Sequence, residues 1–274
     1  LNCGCPKPFS THGGMGSNLL STPDLLCDIL VAMRKAAPPQ VSVTCKIRLL
    51  PSKEDTIELA RKIARTGAID AITVHCRTKE MRPREKALSE RLKEVAQVIR
   101  EESEGKVAVA VNGDCWDPTE PERIMQLTGV TAAMIARGAE SNPSVFRREG
   151  PPLSISKVVA PQWIRYAAMF DNPFGNTKYC INQLAVRPHL KAAGANASKA
   201  EQSKPISRPY EGEEDGKMLS RPAAIELKQK MTSAKTLEAM GEAFGVDIEV
   251  EKAKSVDEIL QPLREALKKR AHLK

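Results

Sequence analysis

Four short apolar runs recur along the first 148 residues, at residues 41–47, 71–75, 106–111 and 132–136. Each is followed by a polar cluster and then by an amphipathic pattern. The runs are rich in Val, Ile and Ala with little alternation, as in strands buried on both faces. Between the first two, Ser52 and Asp55 predict a capped helix start. Ile57, Ala60, Ile63 and Ala64 form its apolar face, and Gly67 predicts its C-terminal cap. A second helix carries Leu92, Val95, Val98 and Ile99. A third opens near Pro118 and carries Ile124, Met125 and Leu127. Strands alternating with helices imply βαβ units and a parallel sheet, hence an α/β fold.

Polar residues choose between the two parallel architectures. Asn2 to Cys5, Lys46 and Arg48, His75 and Arg77, Asn112-Gly113-Asp114, and Arg137-Gly138 each follow a strand or a strand stub. In a (β/α)8 TIM barrel such residues converge on one mouth. In an open doubly wound sheet they spread along an edge. The barrel is the expected fold, with four whole strands and the stub of a fifth. A complete barrel runs to about 250 residues, so about three N-terminal strand–helix units are expected to be absent.

Past residue 148 the pattern changes. Residues 149–187 read as the start of a smaller all-α domain, with Trp163, Tyr166, Ala167, Phe170, Tyr179 and Ile181, broken by Pro173 and Gly175. Residues 188–222 are dominated by Pro, Gly, Ser, Ala, Lys and Glu, and predict a disordered linker. Residues 223–274 complete the helical domain. Leu237, Met240, Ala243 and Phe244 lie on one face, and Ile259, Leu263 and Leu267 on another.

No apolar run reaches the ~18 residues a membrane span needs. Lys and Arg number 42 against 34 Asp and Glu, a net +8, which fits a polyanion partner or an ordinary basic enzyme. The seven cysteines include no Cys-x-x-Cys pair, which predicts free thiols in a reducing compartment. Cys3-x-Cys5 without a His pair gives no metal site.

Gly4-Cys5-Pro6 presents a thiol on a turn after a strand; an incidental thiol in a turn is the plainer reading. The Gly-rich stretch Thr11 to Gly16 lacks both nucleotide-loop spacings and reads as a loop carrying substrate contacts. Lys46, at a strand end, either meets an anionic ring or phosphate in the mouth or is simply solvated. His75 is polar at the mouth end of a buried run. Asn112-Gly113-Asp114 and Ala136-Arg137-Gly138 follow the last two strands, where TIM barrels often hold a phosphate. A phosphate-bearing cofactor is therefore expected there. Residues 77–86 carry five cations (Arg77, Lys79, Arg82, Arg84, Lys86) against two acids. They suit a phosphodiester backbone or form a solvated loop.

Several stretches together carry a resemblance. They are Asn2-Cys3-Gly4-Cys5-Pro6-Lys7, Gly13-Gly14-Met15-Gly16, Lys46-Ile47-Arg48, Val74-His75-Cys76-Arg77-Thr78, Val111-Asn112-Gly113-Asp114 and Ala136-Arg137-Gly138-Ala139. In this order and spacing, over residues 1–148, the chain resembles the tRNA-dihydrouridine synthases. Asn142-Pro143, Asn176-Thr177-Lys178-Tyr179 and the Arg82-Pro83 loop look most like the eukaryotic branch acting on the D-loop uridine at position 20.

The resemblance implies an oxidoreductase with FMN in a TIM barrel, reduced by NADPH. A hydride passes from flavin N5 to uracil C6 and a cysteine protonates C5, giving 5,6-dihydrouridine. Carried over, Cys5 is the proton donor and Asn2 helps hold the uracil. Lys46 and His75 contact the flavin ring system. Asn112, Gly113, Asp114, Arg137 and Gly138 hold its phosphate end, and Arg77 and Arg82 contact tRNA. The target base leaves its stack, and the helical domain grips the tRNA by backbone and shape. A monomer without metal or membrane attachment is expected, in the cytoplasm and also the nucleus. The chain departs from the family pattern at Cys3, at Cys76 and in the absent first strands. A non-catalytic tRNA-binding fragment and an FMN barrel oxidoreductase acting on a small molecule are the alternative readings.

Overall fold

A computed structural model describes residues 1–83, 85–115, 119–147, 150, 152–184, 221–255, 257–258, 260–261, 264–265 and 268. Residues 188–220 of the linker expected at 188–222, the Ile259, Leu263 and Leu267 face, Pro118 and Arg84 lie outside the described residues; Arg221 and Pro222, expected in that linker, instead open a helix.

Strands β1 (Thr44–Arg48), β2 (Ala71–His75), β3 (Ala108–Asn112) and β4 (Ala132–Met134) form one sheet in the order β1-β2-β3-β4, every pair parallel. The expected fifth stub is present in outline. Asn2 makes a parallel bridge to Lys46, Cys3 N–H donates to Lys46 O at 2.8 Å, and Lys46 N–H donates to Leu1 O at 3.0 Å. Strand order follows chain order without reversal. That is how a stretch of barrel wall runs, whereas a doubly wound sheet reverses at a switch point.

The helices of this unit are α1 (Pro8–Thr11), α2 (Pro23–Ala36), α3 (Lys53–Arg65), α4 (Leu92–Glu102), α5 (Thr119–Thr128) and α6 (Arg137–Ser141). Local chemistry sets α3. The Ser52 side chain accepts from Asp55 N–H at 3.1 Å. Glu54 and Asp55 stand in the first turn, and Lys62 and Arg65 in the last. That charge order complements the helix dipole. The chain leaves through Gly67 at φ +62°, a conformation other residues resist.

One face of the sheet is apolar. Cys45, Ile47, Ile72, Val74, Val109 and Val111 pack with Leu59, Ala60, Ile63, Leu92, Val95, Ile99 and Ile124 from the helices in one cluster. Each such Leu or Ile, fully buried, stabilises the fold by about 1.5–3 kcal/mol. The other face carries Lys46, Arg48, Thr73 and His75, half-buried, so burial alternates along β1 and β2. The apolar runs mark the helix-covered side of the sheet. Leu127, expected on the buried face of α5, is exposed. Thr128 is buried instead, its hydroxyl donating to Ile124 O at 2.6 Å.

The first compact unit ends at Ala139 and the second begins at Glu140, ahead of the boundary expected at residue 148. Hydrogen bonds explain the difference. Asn142 donates through Nδ2 to Leu153 O at 2.9 Å, and Leu153 N–H donates to the Ser144 hydroxyl at 2.8 Å. These tie the 142–154 stretch to the helical core, where Leu153 packs. The helices of that unit include α7 (Ala160–Met169), α8 (Phe174–Gln183), Arg221–Ser233, Leu237–Phe244 and Ile248–Lys252. Ile155, Ile164, Ile181, Met231, Met240 and Phe244 form its core. Thr236 caps Leu237–Phe244 by accepting from Ala239 N–H, and Gly245 ends it at φ +68°. Among the described residues, no helix is long and apolar enough to cross a membrane.

Candidate active site

Strand register aligns the polar residues. Arg48 pairs with His75, His75 with Asn112, and Asn112 with Met134 across the four strands. One step earlier lies Lys46, paired with Thr73 and bridged to Asn2. Residues two apart on a strand share a face, so Lys46 and Arg48 stand on the face opposite the core.

Two concavities open there. One, of about 470 Å³, is lined by Asn2, Cys5, Lys46 and Arg48 among others. The second, of about 460 Å³, is lined by His75, Arg77, Asn112, Gly113, Asp114 and Arg137, with Lys7, Lys79 and Arg82 also reaching it. Pro6, Arg48 and Met134 line both, so the two adjoin.

The turn bearing Cys5 is fixed from several sides. Asn2 Oδ1 accepts from Gly4 N–H at 3.0 Å. Arg48 donates through Nε to Gly4 O at 2.6 Å and through Nη1 to Thr78 O at 3.0 Å, joining this turn to the loop after β2. Ser17 N–H donates to Cys5 O at 2.9 Å. Gly16, at φ +59°, passes so close that a Cβ would stand 2.6 Å from Cys5 O. All seven cysteines are free. Burial pushes the Cys3 thiol up to about 11 and those of Cys45 and Cys76 up to about 12. Buried thiols of this kind are poor reagents. Cys3 and Cys76, the departures from the family pattern, are thus core residues, and Cys5 is the half-exposed thiol in the depression.

Lys46 is half-buried, and its amine has no hydrogen-bond or ion-pair partner among the described residues. Loss of water, then the neighbouring Arg48 guanidinium, bring it down to about 8. His75 is brought down to about 3, first by burial and then by Arg48, Lys46, Arg77 and Arg137. It is therefore a neutral imidazole at physiological pH.

Asp114 organises the far end. It sits in the left-handed region at φ +52°. Its carboxylate accepts from Arg77 Nη2, from Arg137 Nη2 at 3.1 Å and from Ala87 N–H at 2.7 Å. This revises two expected roles. Asp114 is an anion already occupied by three donors, so it holds the arginines rather than a phosphate. Arg77 is 2% exposed, with Nε donating to Glu85 O at 2.7 Å. It is framework and is not open to a nucleic-acid backbone. Arg82 is exposed on the rim. Asn112 donates through Nδ2 to Met134 O at 2.9 Å, tying β3 to β4. Gly138 is buried in the first turn of α6 and does not line the depression. Arg48 and Met134 line both concavities as well; the two-residue step from Lys46 marks Arg48 in the sequence, and nothing there marks Met134.

The sequence model of the dihydrouridine synthase (Dus) family matches residues 1–234. The chain is 42% identical over 213 residues to the NAD(P)+-linked tRNA-dihydrouridine(20) synthase of Schizosaccharomyces pombe, covering 77% of this chain and 43% of that protein. It is 37% identical over 193 residues to the corresponding Saccharomyces cerevisiae enzyme, covering 67% of this chain and 49% of that one. With the tRNA-dihydrouridine(16) synthase of Escherichia coli it shares 34% over 149 residues, 54% of this chain and 45% of that protein. The chain spans about half the length of these curated relatives.

Proposed function

Because this chain belongs to the dihydrouridine synthase family, we propose that it reduces uridine to 5,6-dihydrouridine in tRNA, with Cys5 as proton donor, FMN as cofactor and NADPH as reductant. The S. pombe and S. cerevisiae relatives favour the D-loop position 20 as the site modified. The observation that carries the reading is the pair of adjoining concavities: one holds the half-exposed Cys5 thiol and Lys46, whose amine has no partner among the described residues, and the other holds Arg77, Arg82 and Arg137.

The residues present fit a flavin. The Lys46 amine is half-buried without a partner among the described residues, which suits an acceptor-rich or anionic ligand. Gly113, at φ +130°, lines the second concavity and lets Ala87 pack against it where a Cβ would stand only 3.0 Å from Ala87 Cβ. Arg137 offers a cation, 29% exposed, at the end expected for phosphate. When bound and reduced, FMN supplies the hydride that C6 of the uracil receives. Lys46 and His75 orient the ring system, and Asn2 orients the uracil. Cys5 holds its proton at Sγ and delivers it to C5, on a turn clamped by Arg48 and Gly16. Arg82 and Lys79, exposed on the rim, meet the tRNA backbone, whose target base leaves its stack to enter.

The test is to express the 274-residue chain, record its flavin spectrum, and measure NADPH-dependent dihydrouridine in an unmodified tRNA. Cys5→Ala should keep flavin and lose product. Unchanged product, or flavin lost with the thiol, would overturn the role of Cys5. A folded, colourless chain that still binds tRNA would replace the enzyme reading with that of a tRNA-binding fragment.

A further inference from the structure

We infer that Arg77 and Asp114 are positioning residues that fix His75 as the tautomer protonated on Nδ1, so that its ring offers a hydrogen-bond donor to a heterocycle in the depression. Arg77 Nη1 lies 3.3 Å from His75 Nε2. A guanidinium carries donors and no acceptor. Nε2 must therefore accept, and a neutral ring then keeps its proton on Nδ1.

Arg77 has no freedom to turn away. Its side chain is 2% exposed. Nε is held by Glu85 O, and Nη2 is held by Asp114 and, at 3.4 Å, by Pro83 O. Asp114 is itself anchored by Ala87 N–H and by Arg137, which also donates to Pro83 O at 3.1 Å. Gly113 completes the arrangement: a Cβ there would stand 3.6 Å from both Arg77 Nη1 and His75 Cδ2. The charged groups acting on the ring are Arg48, Lys46, Arg77 and Arg137, all cations, and they oppose a second ring proton. Nδ1 has no partner among the described residues, while the ring lines the depression.

The ligand chemistry follows. The ring donates to a carbonyl oxygen or a ring-nitrogen lone pair, on a neutral or anionic heterocycle. The tautomer rests on this chain's own side chains; only the choice of heterocycle rests on the proposed function.

The test is long-range proton–nitrogen NMR on the full chain labelled with ¹⁵N-histidine, the His75 signals assigned by their loss in His75→Gln. The expected spectrum has a pyridine-like Nε2 and a pyrrole-like Nδ1, both unchanged as pH passes about 6.5, where an ordinary imidazole titrates. Arg77→Lys keeps the charge but loses the rigid fork, and Asp114→Asn keeps the shape but loses the anchor. Each should let the Nε2-protonated form appear. Adding FMN should move the Nδ1 signal. Wild-type His75 protonated on Nε2, or cationic near pH 6, overturns the inference even if both variants fail to fold. An unmoved Nδ1 signal on flavin binding overturns the donor role. A fixed tautomer in a chain that makes no dihydrouridine would leave this inference standing and sink the proposed reaction.

Discussion

Lys46→Met should make the ligand-free protein more stable, although it damages the site. Lys46 carries its charge half-buried beside Arg48 and has no counter-ion among the described residues. Its proton affinity falls from an ordinary 10.5 to about 8. At about 1.4 kcal/mol per tenfold, that gap caps the cost of the charge at roughly 3 kcal/mol. The part of the side chain left in water screens it, so about 1–2 kcal/mol is the working figure. The sign with pH follows from proton counting. Between about 8 and 10.5 the unfolded chain keeps the Lys46 proton and the folded chain releases it. Stability contributed at this position therefore rises with pH across that window. Urea melts of both proteins should show Lys46→Met ahead by about 1–2 kcal/mol at pH 7. That lead should shrink as pH rises through this window. A variant less stable than wild type at pH 7, or a difference that ignores pH, would refute the reasoning. The same substitution should weaken FMN binding, the usual opposition between stability and a site that holds uncompensated charge.

Other substitutions probe the framework. Asp114→Ala leaves Arg77 buried without its counter-ion and should cost about 3–5 kcal/mol in urea melts; a loss below about 1 kcal/mol would mean that water or another group already solvates Arg77. Gly16→Ala places a methyl 2.6 Å from Cys5 O at φ +59°, so the turn must shift. Dihydrouridine formation should fall by up to about 100-fold for a displacement near 1 Å, with flavin retained. Unaltered turnover would show that the position of the thiol is not limiting. Ser52→Ala removes the cap of α3 and should cost about 1 kcal/mol, read as a lower Tm without loss of flavin. Lys79→Ala with Arg82→Ala should reduce the salt slope of tRNA binding by about 1.5, given roughly 0.7–0.9 per phosphate contact; an unchanged slope places the RNA elsewhere.

The strands were legible because their apolar residues are those that face the helices. Residues 71–75 matched β2 residue for residue, since Ile72 and Val74 both enter the core and the run ends at the polar His75. The first run was drawn three residues too early. Val41 and Val43 look like strand residues, but β1 starts at Thr44, and Val41 turns back through a bond to Pro38 O. The start of α3 was readable because a cap is local chemistry between residues three apart. The boundary between units was not readable. It depends on Asn142 and Ser144 reaching Leu153, and composition carries no trace of such pairings.

At the site the residue types were legible and their division of labour was not. Arg77 and Asp114 stand in the right motifs, but a motif does not say whether a guanidinium faces solvent or a carboxylate 37 positions away. The same holds for charge. A net +8 over the chain is equally compatible with an evenly basic surface. The structure concentrates it. Lys7, Lys46, Arg48, Arg77, Lys79, Arg82 and Arg137 line the two adjoining concavities, where among the described residues Asp114 is the one carboxylate. Asp114 pairs with Arg77 and Arg137 and offsets one of their two charges, so the excess lies at that end as well as at Lys46, Arg48 and the rim. A depression charged in this way raises the local concentration of an anion before any specific contact forms. Under the proposed function, phosphate on the cofactor and phosphate along the RNA would both be drawn by the same field. What separates them is depth: Lys46 and Arg48 are half-buried on the sheet face, while Lys79 and Arg82 are exposed on the loop after β2. Salt should therefore weaken RNA binding steeply and cofactor binding little, because exposed charges are screened far more than enclosed ones.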